Sequence, residues 1–175
     1  MPPEILSTST LLVCDLFDVT RSRIRENGVE YYREIIVHPG SAVIVPYFED
    51  GTIALVSQYR HPAGKPLLEL PAGSIDPGES AEECASREVR EEVGVKAGSL
   101  EFLTEFYVSP GFLSEKMTVF LATELTHDPA DGDDDEFIDV VRMPLAEAAQ
   151  LARSGRLCDA KTMLGVLLAE TRATR

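Results

Sequence analysis

The sequence predicts a mixed α/β fold in which helices pack on the faces of a mixed sheet. Three observations support this class. Short runs rich in β-branched and aromatic residues occupy the first part of the chain, and a single helical pattern follows them. Further strand patterns and two more helical patterns complete the sequence. The length of 175 residues suits one domain with a substantial core.

Antiparallel strands are predicted for the N-terminal third. Residues 11–16 and 31–37 have strand character, and Asn27-Gly28 between them is a strong turn signal. Residues 42–47 and 52–56 flank an Asp-Gly turn, which predicts a hairpin. The first of these two runs is almost entirely apolar, as expected for a strand that is covered on both faces.

A strand, a loop and a helix are predicted next, over residues 67–94. The short apolar run at the start is ended by Pro71-Ala72-Gly73. The helix is predicted to begin near Ser80, because two glutamates in the following turn favour the positive end of its dipole. Gly94 suits the left-handed conformation that ends many helices.

The rest of the chain alternates strands, loops and helices. Strands are predicted around residues 100–108, 116–123 and 137–143, and helices over residues 145–153 and 160–171. The segment DPADGDDDE at 128–136 has the composition of a loop. There is no internal repeat, so one packed domain is the simplest interpretation.

Composition excludes several classes of function. The net charge of −14 argues against general nucleic-acid binding, which requires a basic surface. The three cysteines have no CxxC spacing, so reduced thiols in a cytoplasmic protein are expected. The three histidines are isolated and suggest no zinc site. No apolar run is long enough for a membrane span, and no secretory signal is expected at the start.

The most informative feature is a cluster of acidic residues near the end of the predicted helix. Glu88 and Glu92 lie one turn apart on the same face, and Glu91 lies beside them. Like charges at this spacing repel, but a hard divalent cation that prefers oxygen ligands would make them favourable. Arg87 can also pair with Glu91 at i, i+4. The alternative is a solvated acidic helix, which remains the better interpretation for Glu82 and Glu83 in the first turn.

At these residues the chain resembles the Nudix hydrolase family. The segment fits the Nudix box G-x5-E-x7-R-E-U-x-E-E-x-G-U, where U is a bulky aliphatic residue. Every constrained position is matched, by Gly73, Glu79, Arg87, Glu88, Val89, Glu91, Glu92, Gly94 and Val95. The resemblance covers about residues 25–170 and implies an α/β/α sandwich with a mixed sheet and additional N-terminal antiparallel strands.

The resemblance also implies a metal site. Enzymes of this family hydrolyse a nucleoside diphosphate linked to another group, using a divalent cation such as Mg²⁺ or Mn²⁺. By the match, Glu88 and Glu92 are the main ligands, Glu91 contributes, and the backbone carbonyl of Ala72 is a further ligand. The chemistry agrees, because a metal ion neutralises pyrophosphate charge and lowers the pKa of an attacking water.

Residues outside the box resemble the ADP-ribose pyrophosphatase branch, in the segments SQYRHPAG, LLELPAGSIDPGE and YVSPGFLSEKMTVFLA. This likeness implies that Arg60 contacts the ribose-phosphate side of the substrate. Ser109 and Glu115 would lie near the terminal ribose. Arg33 would reach a substrate in a neighbouring subunit, although a surface position is the alternative for this arginine.

The acidic loop at 128–136 supplies the candidate general base. Most of its carboxylates are expected to be solvated. In this branch, however, a glutamate from the corresponding loop approaches the metals, and Glu136 matches that position best, with Asp135 as the second candidate. Such a carboxylate would stay ionised near a metal and could orient a water.

The sequence therefore leads to one expectation for function and several alternatives. The expected reaction converts ADP-ribose and water to AMP and ribose 5-phosphate. The resemblance implies a homodimer, with residues 1–40 as the dimerisation element and 41–175 as the Nudix domain. The alternatives are another substrate, such as a GDP- or UDP-sugar, and a non-catalytic sensor that binds ADP-ribose. A nucleotide-sanitising enzyme is disfavoured by the Ser-Pro-Gly segment.

Overall fold

The computed structural model describes residues 2–132 and 137–173. These residues form two compact units. The first unit contains Met1–Gly40 and Phe106–Met117, and the second contains Ser41–Glu105 and Thr118–Arg175. Among the described helices, none is both long and apolar enough to cross a membrane.

The first unit is built on a three-stranded antiparallel sheet in the order β1-β2-β3. Its strands are β1 (Glu4–Val13), β2 (Asp18–Glu26) and β3 (Val29–Val37). Asn27 and Gly28 both have positive φ, 50° and 79°, which is the twist that a two-residue hairpin turn requires. The predicted N-terminal antiparallel strands and the Asn-Gly turn are confirmed, but the strand predicted for residues 11–16 ends at Val13, and residues 14–17 connect β1 to β2.

The second unit contains the three described helices and the remaining strands, except that residues 106–107 and 116–117 at two strand ends belong to the first unit. The strands are β4 (Ser41–Pro46), β5 (Thr52–Arg60), β6 (Lys65–Glu69), β7 (Ala72–Ser74), β8 (Val95–Lys96), β9 (Ser99–Tyr107), β10 (Lys116–Thr123), β11 (Thr126–His127) and β12 (Ile138–Pro144). The helices are α1 (Ala81–Val93), α2 (Leu145–Arg153) and α3 (Ala160–Ala173). The strands form sheets in the orders β7-β4-β10-β9 and β12-β5-β6, with a small β11-β8 pair.

Successive side chains of β4 point to opposite faces of the sheet β7-β4-β10-β9, and a helix packs on each face. Ala42 and Ile44 pack in one buried cluster with Cys84 and Val89 of α1. On the opposite face, Val45 lies beside α3, close to the Cα of Gly165. All six residues of β4 are buried, as expected for a strand covered on both sides. This arrangement confirms the predicted sandwich of helices around a sheet.

Two local predictions differ from the structure. The turn between β4 and β5 is present, but the strands enter different sheets and share only the pairing of Tyr47 with Ile53. All of β4 and the apolar residues Ile53–Val56 of β5 are buried, so both segments require cover on both faces, and splitting the strands between sheets provides it. Ala72 and Gly73, predicted to lie in the loop that ends a strand, instead belong to β7, which pairs with β4.

Candidate active site

Helix α1 carries the site and has strong end signals. The hydroxyl of Ser80 accepts a hydrogen bond from the Glu83 backbone N–H at 3.2 Å, and Glu83 accepts one from the Ser80 N–H at 2.8 Å. This reciprocal capping box defines the first turn. At the other end Gly94 has φ of 76° and closes the helix with its N–H. The predicted helix ends are confirmed, and Glu83 serves the cap.

Two carboxylates of α1 lie on its buried face. Glu88 is 7% exposed and Glu92 is 9% exposed, on the same side as the apolar residues Cys84 and Val89. The burial of Glu88 depends on Gly73 in β7, because a Cβ built there would lie only 1.8 Å from Glu88 Oε1. Because Gly73 has no side chain, the Glu88 carboxylate can lie directly beside the backbone of β7, next to Ala72.

Arg87 links three carboxylates of this region. Its Nε and Nη2 each donate to Glu79 at 3.0 Å, while Nη1 donates to Glu88 at 2.6 Å and to Glu91 at 3.0 Å. Nη2 also donates to the Ser74 carbonyl at 3.2 Å. The hydrogen bonds to Glu79 are the main reason that the pKa of Arg87 is raised, and in return they lower the pKa of Glu79. The guanidinium is therefore charged and fixed in position.

The carboxylates of this region are suitable ligands for a hard cation, but the described side chains are not arranged around one common metal position. Within residues 2–132 and 137–173, no group of three His, Cys, Asp or Glu side chains has metal-binding geometry. One reason is that Glu88 and Glu91 are turned toward Arg87. Glu79, Glu88, Glu91 and Glu92 carry four negative charges against the single positive charge of Arg87. This excess of oxygen donors and charge fits a divalent cation.

A second charged cluster lies at the end of β5. Arg60 Nε and Nη2 donate to the two carboxylate oxygens of Glu69, at 2.9 and 3.0 Å. Burial alone would raise the pKa of Glu69, but the hydrogen bonds from Arg60 and the charge of Lys161 outweigh it and lower that pKa. The pKa of Arg60 is raised, chiefly by the bonds to Glu69, with smaller contributions from Glu92 and Asp159. Arg60 therefore lies within electrostatic reach of a box glutamate.

The remaining predicted substrate residues lie in the first unit. The carbonyl of Ser109 accepts hydrogen bonds from the N–H groups of Phe112 and Leu113, so it anchors the tight loop after Tyr107. Glu115 is mostly buried, with Oε1 3.9 Å from His38 Nδ1. Arg33 is exposed on β3 and lies over the Tyr31 ring, 4.4 Å from its centroid. The structure thus brings the box residues together in one unit and these three residues in the other.

The two candidate bases, Glu136 and Asp135, lie outside the described residues. The described start of the same loop is attached to α1. Arg90 Nε donates to Asp128 at 3.1 Å, and the Ala130 N–H donates to the Arg90 carbonyl at 3.2 Å. A Cβ at Gly132 would lie 3.8 Å from the Cβ of Glu91. The last described residue before Glu136 on this side is therefore next to the box.

Sequence reasoning did not single out Glu69 and Lys161. Glu69 is 2% exposed and Lys161 is 7% exposed, and the two form an ion pair. A signal was available for each residue. Glu69 is a lone charge in the apolar run LLEL, and Lys161 begins an otherwise apolar helical stretch. The ion pair between them could not be predicted, because the two residues are 92 positions apart in the sequence.

Comparisons with known proteins agree with the family resemblance of the sequence. A family model described as NUDIX domain matches residues 37–163. An ADP-ribose pyrophosphatase of Bacillus subtilis is 39% identical over 142 residues, covering 80% of this chain and 77% of the relative. A GDP-mannose pyrophosphatase of Yersinia enterocolitica is 38% identical over 162 residues, covering 85% and 84%. A crystal structure of an ADP compounds hydrolase has a TM-score of 0.87 and 31% identity, covering 99% and 95%.

Proposed function

This chain belongs to the NUDIX family of hydrolases, and we propose that it hydrolyses ADP-ribose with one water to AMP and ribose 5-phosphate. The observation that carries the proposal is the contact of Arg87 with Glu88 and Glu91 next to the buried Glu92, with Gly73 opening space beside Glu88. The choice of ADP-ribose is supported by the relatives that are named for it or for ADP compounds.

The proposed cation is Mg²⁺ or Mn²⁺, held by Glu88 and Glu92, with Glu91 and the carbonyl of Ala72 as further ligands. When bound, such an ion neutralises pyrophosphate charge and makes a water more acidic. The contribution of the protein is to hold oxygen donors close together despite their repulsion. Arg87 and Glu79 provide that support, because one guanidinium binds Glu79 on one side and two box glutamates on the other.

Substrate recognition is assigned to residues outside the box. We propose that Arg60 contacts the phosphate side of ADP-ribose, since its guanidinium is oriented by Glu69 while 40% of the side chain stays exposed. Ser109 and Glu115 are proposed to contact the terminal ribose through hydroxyl and carboxylate groups. Arg33 is proposed to act on the substrate of a second subunit.

Glu136 is the proposed general base, and Asp135 is the second candidate. The attachment of the preceding loop to Arg90, and the approach of Gly132 to Glu91, support a position near the box. The variant Glu136→Gln is expected to lower kcat by about 10²-fold, the usual contribution of a general base, while the metal affinity changes little. An unchanged kcat in steady-state assays would transfer the role to another residue.

We also propose that the enzyme is a cytoplasmic homodimer in which residues 1–40 form the dimerisation element beside the hydrolase domain of residues 41–175. Apolar side chains exposed on the sheet β1-β2-β3 and its connections support this proposal, since unpaired apolar surface marks interfaces. They are Ile5, Leu11, Leu12, Val13, Leu16, Val29 and Val37. The three free cysteines fit a reducing compartment.

A second candidate substrate is GDP-mannose, favoured by the relative named for its hydrolysis. A screen of ADP-ribose, GDP-mannose and a UDP-sugar with Mg²⁺, followed by chromatographic analysis of the products, distinguishes these functions. Release of AMP from ADP-ribose at the highest kcat/KM is the expected result. Preference for GDP-mannose would overturn the proposed substrate, and binding of ADP-ribose without turnover would favour the sensor.

A further inference from the structure

Four residues of alternating charge are connected in series, namely Arg60, Glu69, Lys161 and Asp159. The guanidinium of Arg60 donates two hydrogen bonds to Glu69, which is paired on the other side with the ammonium of Lys161. Lys161 Nζ also lies 3.0 Å from Asp159 Oδ2. Arg60 is the exposed end of this series, while Glu69 and Lys161 are almost completely buried. Arg60 can thus meet a ligand from solvent while two buried charges, Glu69 and Lys161, lie behind it.

The start of α3 also binds the segment that connects β6 to the Nudix box. Asp159 accepts hydrogen bonds from the backbone N–H and the hydroxyl of Thr162, at 3.0 and 2.5 Å. The Thr162 hydroxyl oxygen in turn accepts one from the Leu70 N–H at 2.7 Å. Glu69 and Leu70 are therefore tied side by side to the start of α3, three and two residues before Ala72.

A buried lysine that holds two elements together carries a desolvation penalty that an apolar residue does not carry. Removing an ammonium from water carries a large desolvation penalty, and replacing a buried ion pair by apolar residues of similar volume is often neutral or stabilising. Thr162 already fastens Leu70 to the helix without any charge. A structural explanation requires only that Lys161 neutralise Glu69 and Asp159, whereas an electrostatic role toward Arg60 also explains its position behind Glu69.

We propose that Lys161 is a positioning residue for the substrate, acting through Glu69 on Arg60. This inference rests on the proposed function, in which Arg60 meets the diphosphate. Glu69 fixes the orientation of the guanidinium but also offsets its positive charge. Lys161 offsets Glu69 in turn, so Arg60 keeps more of its attraction for phosphate oxygens. Without Lys161, no cation would offset the buried Glu69 and the partly exposed Asp159, whose charges both act on Arg60.

A double-mutant cycle tests this role. Lys161→Met is expected to raise KM for ADP-ribose about tenfold, the order expected for removing a charge behind one binding residue, with a smaller change in kcat. In an Arg60→Ala background the same substitution is expected to have little further effect, because the residue through which it acts is gone. Equal fold-changes in both backgrounds would overturn the inference.

Companion variants separate charge from folding. Lys161→Gln keeps a hydrogen-bond donor for Glu69 but removes the charge, so it is expected to raise KM as Lys161→Met does, and it serves if the Met variant does not fold. Lys161→Arg retains the cation and is expected to restore KM to within a few-fold of the wild type. Lys96→Met, an exposed lysine in β8, is the matched control and should leave KM unchanged. A wild-type KM in the folded Gln variant would refute an electrostatic role.

The dissociation constant for α,β-methylene ADP-ribose, which cannot be hydrolysed between its phosphates, provides the same cycle without turnover. If the wild type does not hydrolyse ADP-ribose, the proposed function fails whatever this cycle shows. If the wild type is active but the effect of Lys161→Met on the dissociation constant is the same with and without Arg60, only the present inference fails. Loss of coupling in the Arg60→Ala background supports it.

Discussion

Substitution of Gly73 by alanine tests whether the position of the Glu88 carboxylate determines activity. The added Cβ would lie 1.8 Å from Glu88 Oε1, 2.1 Å from Cδ and 2.6 Å from Oε2, so the carboxylate must move. The backbone itself is not a barrier, because Gly73 is not among the glycines with positive φ. The change therefore acts on one carboxylate rather than on the fold of β7.

The size of the effect follows from the distance. Restoring ordinary contact at 3.4 Å from the initial 1.8 Å requires a displacement of about 1.6 Å. Misplacing a catalytic group by about 1 Å costs on the order of 10²-fold in rate. We therefore expect kcat/KM to fall by at least about 10²-fold, which corresponds to about 2.7 kcal/mol of transition-state stabilisation. Stability should change little, since Gly→Ala restricts the unfolded chain and contributes roughly 0.4–1 kcal/mol toward folding.

The assay combines steady-state kinetics with thermal unfolding. Gly98→Ala is a matched control, because its Cβ would lie 2.7 Å from the Cβ of another glutamate, Glu124, outside the box. We expect Gly98→Ala to lower the melting temperature while leaving kcat/KM near the wild-type value. Wild-type kcat/KM in folded Gly73→Ala would refute the reasoning, as would an equal loss of activity in both variants.

Three further predictions concern helix α1 and the loop that precedes it. Glu92→Gln should leave the fold intact and lower turnover by orders of magnitude at saturating Mg²⁺, because an amide is a poor substitute for a carboxylate ligand; near-normal turnover would contradict its assignment. Because Arg87 lowers the pKa of Glu79 in the folded state, Glu79 contributes stability above its unfolded pKa of about 4.3, and this is lost as pH falls through the lower folded pKa. In denaturant titrations below pH 5, the free energy of unfolding of Glu79→Gln should therefore fall less steeply than that of the wild type; parallel curves would argue against the pair. Burial raises the pKa of Cys84 to about 12, so a thiol reagent at pH 8 should modify two cysteines in the native protein and the third only after unfolding.

Local signals explain why helix α1 could be predicted so closely. The serine at its start, the glutamate three residues into it and the glycine after it act through hydrogen bonds within a few positions. The spacing of Glu88 and Glu92 likewise places them on one face through helical geometry alone. Both features depend on neighbours in sequence, so the sequence predicts them without knowledge of the tertiary fold.

The unpredicted features all depend on distant residues. β4 and β5 carry a strong hairpin signal, yet the burial of β4 and of Ile53–Val56 in β5 requires cover on both faces, and the strands enter different sheets. The ion pair between Glu69 and Lys161 joins elements that periodicity alone cannot bring together. The space that Gly73 leaves for Glu88 could be predicted only in part. The box pattern includes both residues but does not state that one makes space for the other.

The arrangement around Arg87 shows how a fold can keep clustered carboxylates ready for a cation. One guanidinium against Glu79, Glu88, Glu91 and Glu92 leaves a formal charge of −3, from four negative charges and one positive. A second arginine in place of a glutamate would balance the charge better but would occupy the oxygen-lined space. Instead Glu79 holds Arg87 from the side away from the other carboxylates, so the arginine orients Glu88 and Glu91 without neutralising the cluster. The residual negative charge disfavours the helix on its own, and it is the property that would draw a divalent ion and, with it, a diphosphate to this face of α1.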